Sequence, residues 1–85
     1  MKKQKLLAKI LTRSKNIDFD EMVTLVESFG FRLSRVNGSH HIFERDGVPE
    51  LINLQEVRGM AKPYQIRQFL KIVERYNLKL GVPKR

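Results

Sequence analysis

The sequence predicts an α+β, two-layer sandwich in the order helix, three-stranded meander, helix. Three observations carry that expectation. An amphipathic run follows Asp18 and stops at Gly30; two short aromatic and β-branched segments flank Asn37-Gly38; a second amphipathic run begins behind Pro63. At 85 residues the chain is one domain with a single small core. There is no cysteine, so neither a disulfide nor a thiolate metal site supplements hydrophobic packing, and a reducing, cytoplasmic setting is expected.

The elements follow in order. Leu6, Leu7, Ile10 and Leu11 lie at helical spacing opposite lysines, so residues 1–17 are read as a basic N-terminal extension, a short helix over 3–13 or an arm. Asp18 and Glu21 have capping-box-like spacing, and Phe19, Met22, Val23, Val26 and Phe29 then share one helical face before Gly30 ends it. Phe31 to Val36 and His40 to Arg45 form a hairpin about Asn37-Gly38. Asp46-Gly47 and Pro49 turn the chain into a third strand at Leu51-Ile52-Asn53-Leu54, and residues 55–62 read as a loop. Pro63 suits a first helical turn, after which Ile66, Phe69, Leu70, Val73 and Tyr76 repeat at helical spacing. Residues 78–85 are expected as a basic, loosely docked tail, leaving 18–77 as the folded unit. Both helices should cover one sheet face and leave the other open.

Seventeen Lys and Arg against nine Asp and Glu give a formal charge of +8, which favours a polyanionic partner, nucleic acid first. The charge is segregated. Residues 1–17 and 61–85 are basic, whereas 18–30 carry four acids and no base. Arg67, Lys71 and Arg75 recur at every fourth residue and make a basic stripe along the last helix, fit for a phosphate backbone, an acidic protein or plain solvent. No long apolar run marks a membrane span or signal peptide, so no membrane partner is expected.

Gly-x-Ser-x-Gly and phosphate-cradling glycine motifs are absent, and no thiol nucleophile exists. The two histidines are adjacent, at His40 and His41. Neighbouring strand residues point to opposite faces, so they cannot readily share a metal or act together on one substrate. One imidazole, with an unperturbed pKa of ~6.5, can still take the proton of an RNA 2′-hydroxyl or give one to the leaving oxygen, with a nearby Arg or Lys stabilising the charged phosphorane. Which histidine faces outward depends on the turn. A two-residue Asn37-Gly38 turn pairs Arg35 with His40 and exposes His41; a longer Asn37-Gly38-Ser39 loop pairs Leu33 with Phe43, and His40 then shares the open face with Arg32, Ser34 and Ile42. No cofactor and no metal is expected from the residue pattern.

The string Asn37-Gly38-Ser39-His40-His41-Ile42-Phe43, preceded by a helix ending in Gly30-Phe31 and followed by a third strand and an amphipathic helix, resembles the HicA (YcfA-like) toxin family. The segment from Ala61 to Leu70, AKPYQIRQFL, looks like one branch of that family. The resemblance spans roughly 18–77. It implies a fold like the double-stranded-RNA-binding domain and a ribosome-independent endoribonuclease that cuts messenger RNA, an mRNA interferase; the residue pattern, with no His and carboxylate cluster at ligand spacing, adds the expectation that it works without metal. It also implies a type II toxin–antitoxin system with a HicB-like antitoxin, and a toxin that is monomeric when free. The family's catalytic histidine directly follows Gly-Ser or Gly-Gly, which lands on His40 and favours the longer loop, with His41 in reserve. Gly38, Ser39, Arg32, Arg67, Lys71 and Arg75 are the expected RNA contacts. Two features depart from the family: the hairpin tip reads Glu44-Arg45-Asp46-Gly47 where many members resemble Arg-His-Pro-Asp-Gly, and Lys2 to Arg13 precedes the usual family start. The alternative function is a non-catalytic RNA-binding module.

Overall fold

A computed structural model describes residues 17–80; the helix or arm expected over 3–13 and the end of the basic tail lie outside them. The described chain runs β1 (Ile17–Asp18), α1 (Phe19–Ser28), β2 (Arg32–Asn37), β3 (His40–Arg45), β4 (Val48–Gln55), β5 (Met60–Ala61) and α2 (Pro63–Arg75). Strands β2, β3 and β4 form an antiparallel sheet in that order. The expected α+β two-layer sandwich, like the double-stranded-RNA-binding domain, is therefore the fold observed.

Helix α1 starts where Asp18 caps it, its carboxylate accepting from the Asp20 amide at 3.0 Å. It buries Phe19, Met22, Leu25 and Val26, so the apolar face includes Leu25 beyond the residues expected. The helix stops at Gly30, whose φ of 92° brings its amide back to the Glu27 carbonyl. Helix α2 opens on Pro63 and buries Ile66 and Phe69, with Leu70, Val73 and Tyr76 partly buried against the core. It closes in a Schellman arrangement: Asn77, at φ 53°, donates to Glu74 and Leu78 donates to Val73. Leu78 and Leu80 pack on the core, so the start of the expected loose tail is docked.

Phe43, Ile52 and Leu54 meet both helices in one buried cluster. Phe69 joins the layers, its ring edge-on to Phe29 at 5.5 Å and to Phe31 at 5.7 Å. The third strand is longer than expected and takes in Pro49, which is tolerated because β4 is an edge strand.

Residues 55–62 are more than a loop. Val57 and Met60 exchange both backbone hydrogen bonds across Arg58-Gly59, which have φ of 54° and 77°, the primed turn that suits a tight hairpin. The returning β5 pairs antiparallel with β1, Ile17 opposite Ala61, and Gly59 accepts from the Phe19 amide at 2.8 Å. This two-stranded ribbon ties the start of α1 to the approach to α2.

Neither expected hairpin register is the observed one. Asn37 pairs with His40 about a two-residue Gly38-Ser39 turn, and Gly38 has φ 63°, as the first central residue of a II′ turn requires. A bulge at Ser34, between Leu33 and Arg35, then shifts the register so that Leu33 faces Phe43, the pairing expected of the longer loop.

Candidate functional site

The site is built on the sheet face away from the helices. Cross-strand partners share a face, so the pairs Asn37–His40, Arg35–Ile42, Arg32–Glu44, His40–Gln55 and Ile42–Asn53 place all these residues there. His41 pairs with Val36 and Leu54 and points the other way, toward the helices. The bulge has a direct consequence: Arg32 and Arg35, three residues apart, lie on the same face, and Arg35 occupies the place beside Ile42 that the longer-loop reading gave to Ser34.

His40 is half-buried, and its Nδ1 lies 3.0 Å from Asn53 Oδ1. Among the described residues its Nε2 has no hydrogen-bond partner. The turn that carries His40 is held from β4: the Ser39 carbonyl accepts from the Glu56 amide at 3.0 Å, and Gln55 Nε2 donates to Ser39 Oγ at 3.5 Å. His41 has a different environment. Its ring packs on Phe19 at 4.8 Å, tilted by 58°, and its Nδ1 lies 3.3 Å from the Ser39 carbonyl.

The cations differ in how free they are. Arg32 donates to Asp46 at 3.1 Å and lies 3.5 Å from Glu44, and these carboxylates raise its pKa, the Asp46 hydrogen bond most. Arg75 is likewise bound to Glu50. Arg35, Arg67 and Lys71 are exposed and make no ion pair among the described residues. Of these only Arg35 is on the His40 face. The stripe of Arg67, Lys71 and Arg75 runs along the side of α2 opposite its buried Ile66 and Phe69, in the other layer. Gly38 and Ser39 are beside His40; Arg32 shares its face but is neutralised; the α2 stripe is not brought to it.

Sequence reasoning missed Asn53, Gln55 and Arg35. Asn53 stood as a lone polar residue in an apolar strand, and the face of Arg35 followed from a turn at Gly38-Ser39, one residue on from the Asn37-Gly38 turn expected. Among the described residues no group of three or more His, Asp or Glu side chains is placed to hold a metal ion, and no described helix is long and apolar enough to cross a membrane.

A family model described as HicA toxin of bacterial toxin-antitoxin matches residues 19–74, from the first residue of α1 to the penultimate residue of α2. Neither the curated proteins nor the solved structures give a match. With most of the chain matched, and the Gly38-Ser39-His40 turn inside the match, the chain belongs to the HicA toxin family, the toxin partner of bacterial toxin–antitoxin pairs.

Proposed function

We propose that this toxin is an endoribonuclease that cuts messenger RNA, with His40 as its catalytic general base or acid and a HicB-like antitoxin as its inhibitor. The observation that carries the reading is the placement of His40 directly after Gly38-Ser39, on the open sheet face, with Nε2 unengaged among the described residues. In the reaction, Nε2 takes the proton from a 2′-hydroxyl as its oxygen attacks the adjacent phosphorus. The P–O5′ bond breaks, the 5′-oxygen leaves with a proton taken from water, and a 2′,3′-cyclic phosphate remains. Arg35 is the cation best placed to stabilise charge on the phosphorane, since it shares the face and has no carboxylate partner there. Gly38 and Ser39 offer backbone and hydroxyl contacts to phosphate at the turn. Arg32 reaches RNA only by giving up Asp46 and Glu44, and Arg67 and Lys71 act from the helical layer by attracting the polyanion. An acidic antitoxin covering the open face inhibits by blocking His40, with no conformational change required.

The test is cleavage of a structured messenger RNA by wild type, His40→Ala and His41→Ala, with binding followed on the same samples. His40→Ala is expected to lose about 10²–10⁴-fold in cleavage, the usual contribution of a general acid or base, and to keep its affinity. Selective loss in His41→Ala would reverse the assignment. A folded wild type that binds RNA and never cuts it, with or without divalent metal, would leave an RNA-binding module.

A further inference from the structure

We infer that Asn53 is a positioning residue that holds His40 as the Nδ1–H tautomer, so that the free nitrogen presented to solvent is the basic Nε2. The inference rests on the reading of His40 as the catalytic group and goes one step into how the imidazole is prepared. It stands on geometry. Asn53 Oδ1 is 3.0 Å from His40 Nδ1, and an amide oxygen can only accept. The hydrogen bond therefore exists only when Nδ1 carries the proton. In the neutral ring the lone pair is then on Nε2, which among the described residues has no partner. The opposite tautomer would set the Nδ1 lone pair against the Asn53 oxygen.

The backbone fixes this pairing. His40 faces Gln55 and Ile42 faces Asn53, so Asn53 is the diagonal neighbour of His40 on the same face, at the separation from which a side chain reaches across. The Glu56–Ser39 backbone bond and the Gln55–Ser39 contact hold the hairpin end in that register. Asn is disfavoured in strand interiors, and here it interrupts Leu51-Ile52-Asn53-Leu54 at a position from which its amide meets the imidazole. When Nε2 takes a proton, the same oxygen stabilises the imidazolium through Nδ1–H without moving.

The experiment reads the tautomer directly, by two-bond ¹⁵N–¹H NMR of the His40 imidazole at a pH where the ring is neutral, and reads cleavage on the same variants. Wild type is expected to show a protonated Nδ1 and an unprotonated Nε2. Asn53→Ala is expected to transfer population to the Nε2–H form and to lower kcat by roughly 10–100-fold at unchanged RNA affinity, by analogy with the loss of the partner that orients a metal-ligating histidine. Asn53→Asp keeps an acceptor at the same place and is expected to restore both the Nδ1–H signature and most of the activity. A wild type in the Nε2–H form, or an Asn53→Ala protein with unchanged tautomer or unchanged kcat, would overturn the inference. Since the tautomer is read without RNA, a wild type with the Nδ1–H signature but no nuclease activity would uphold the positioning and overturn the nuclease reading alone.

Discussion

His40 and His41 share a strand and differ by one step of the pleat, which is enough to give them unrelated surroundings. His40 meets an amide oxygen and solvent; His41 meets the Phe19 ring and its own turn's carbonyl. These surroundings give His41 a packing contact, and the substitutions that separate packing from chemistry are those that change one and spare the other. His41→Phe keeps an aromatic ring against Phe19 and is expected to retain stability and cleavage within a few-fold. His41→Ala is expected to lose about 1 kcal/mol of stability, the usual worth of such a ring contact, again with cleavage nearly intact. Chemical denaturation and single-turnover cleavage on the same proteins check this, and loss of cleavage in His41→Phe with native stability would contradict it.

At the scale of elements, α2 is tied to the sheet at its C-terminal end by Glu50 of β4, whose carboxylate accepts from the Tyr76 hydroxyl at 2.6 Å and from Arg75. The Tyr76 hydrogen bond is the main reason the Glu50 carboxyl lies below its ordinary value of 4.5, and the same bond raises the Tyr76 hydroxyl above 10.0. A lowered carboxyl stabilises the fold above its unfolded value and loses that contribution as pH falls through the folded one; a raised phenol does the reverse, losing its contribution as pH rises through its folded value. Tyr76→Phe should therefore lie furthest below wild type in stability near neutral pH, and the gap should narrow in acid as pH falls below the ordinary carboxyl value and through the lowered Glu50 value. Parallel stability–pH curves would show that the tie does not depend on the charge of Glu50. The elements also show why the sequence was legible only in part. Helices α1 and α2 each repeat an apolar period several times, and the three long strands were marked by aromatic and β-branched residues between turn signals, so their existence could be read. Strands β1 and β5 have two residues each, too few for any period, so residues 55–62 read only as a loop. The Ser34 bulge left no sign in composition, yet it decides that Arg32 joins Arg35 on the His40 face. Turn chemistry located the hairpin, and the family's Gly-Ser-His string singled out His40 for the catalytic role. Asn53 emerged only from the β3–β4 register.

For the molecule as a whole, the layered fold puts two kinds of positive charge on opposite sides. Arg35 stands with His40 on the open sheet, and Arg67 and Lys71 stand on the outer side of α2, across a body about 23 Å thick at its thinnest. Screening decides how far the second group can act. The Debye length is about 30 Å at 0.01 M ionic strength and about 8 Å at 0.15 M, so the α2 charges reach RNA at the open face only in dilute salt. Replacing Arg67 and Lys71 together by Ala is expected to lower kcat/KM at about 0.01 M through slower capture, to leave kcat unchanged, and to have little effect at about 0.15 M. Arg35→Ala, by contrast, is expected to lower kcat at both salt concentrations, because on the proposed reading its charge stabilises the phosphorane directly, where salt screens little. The measurement is cleavage under single-turnover and subsaturating conditions across that salt range. If the Arg67/Lys71 double variant stayed impaired at about 0.15 M, the RNA would have to contact the helical layer itself, and the substrate would be one that wraps the domain rather than lying on the sheet.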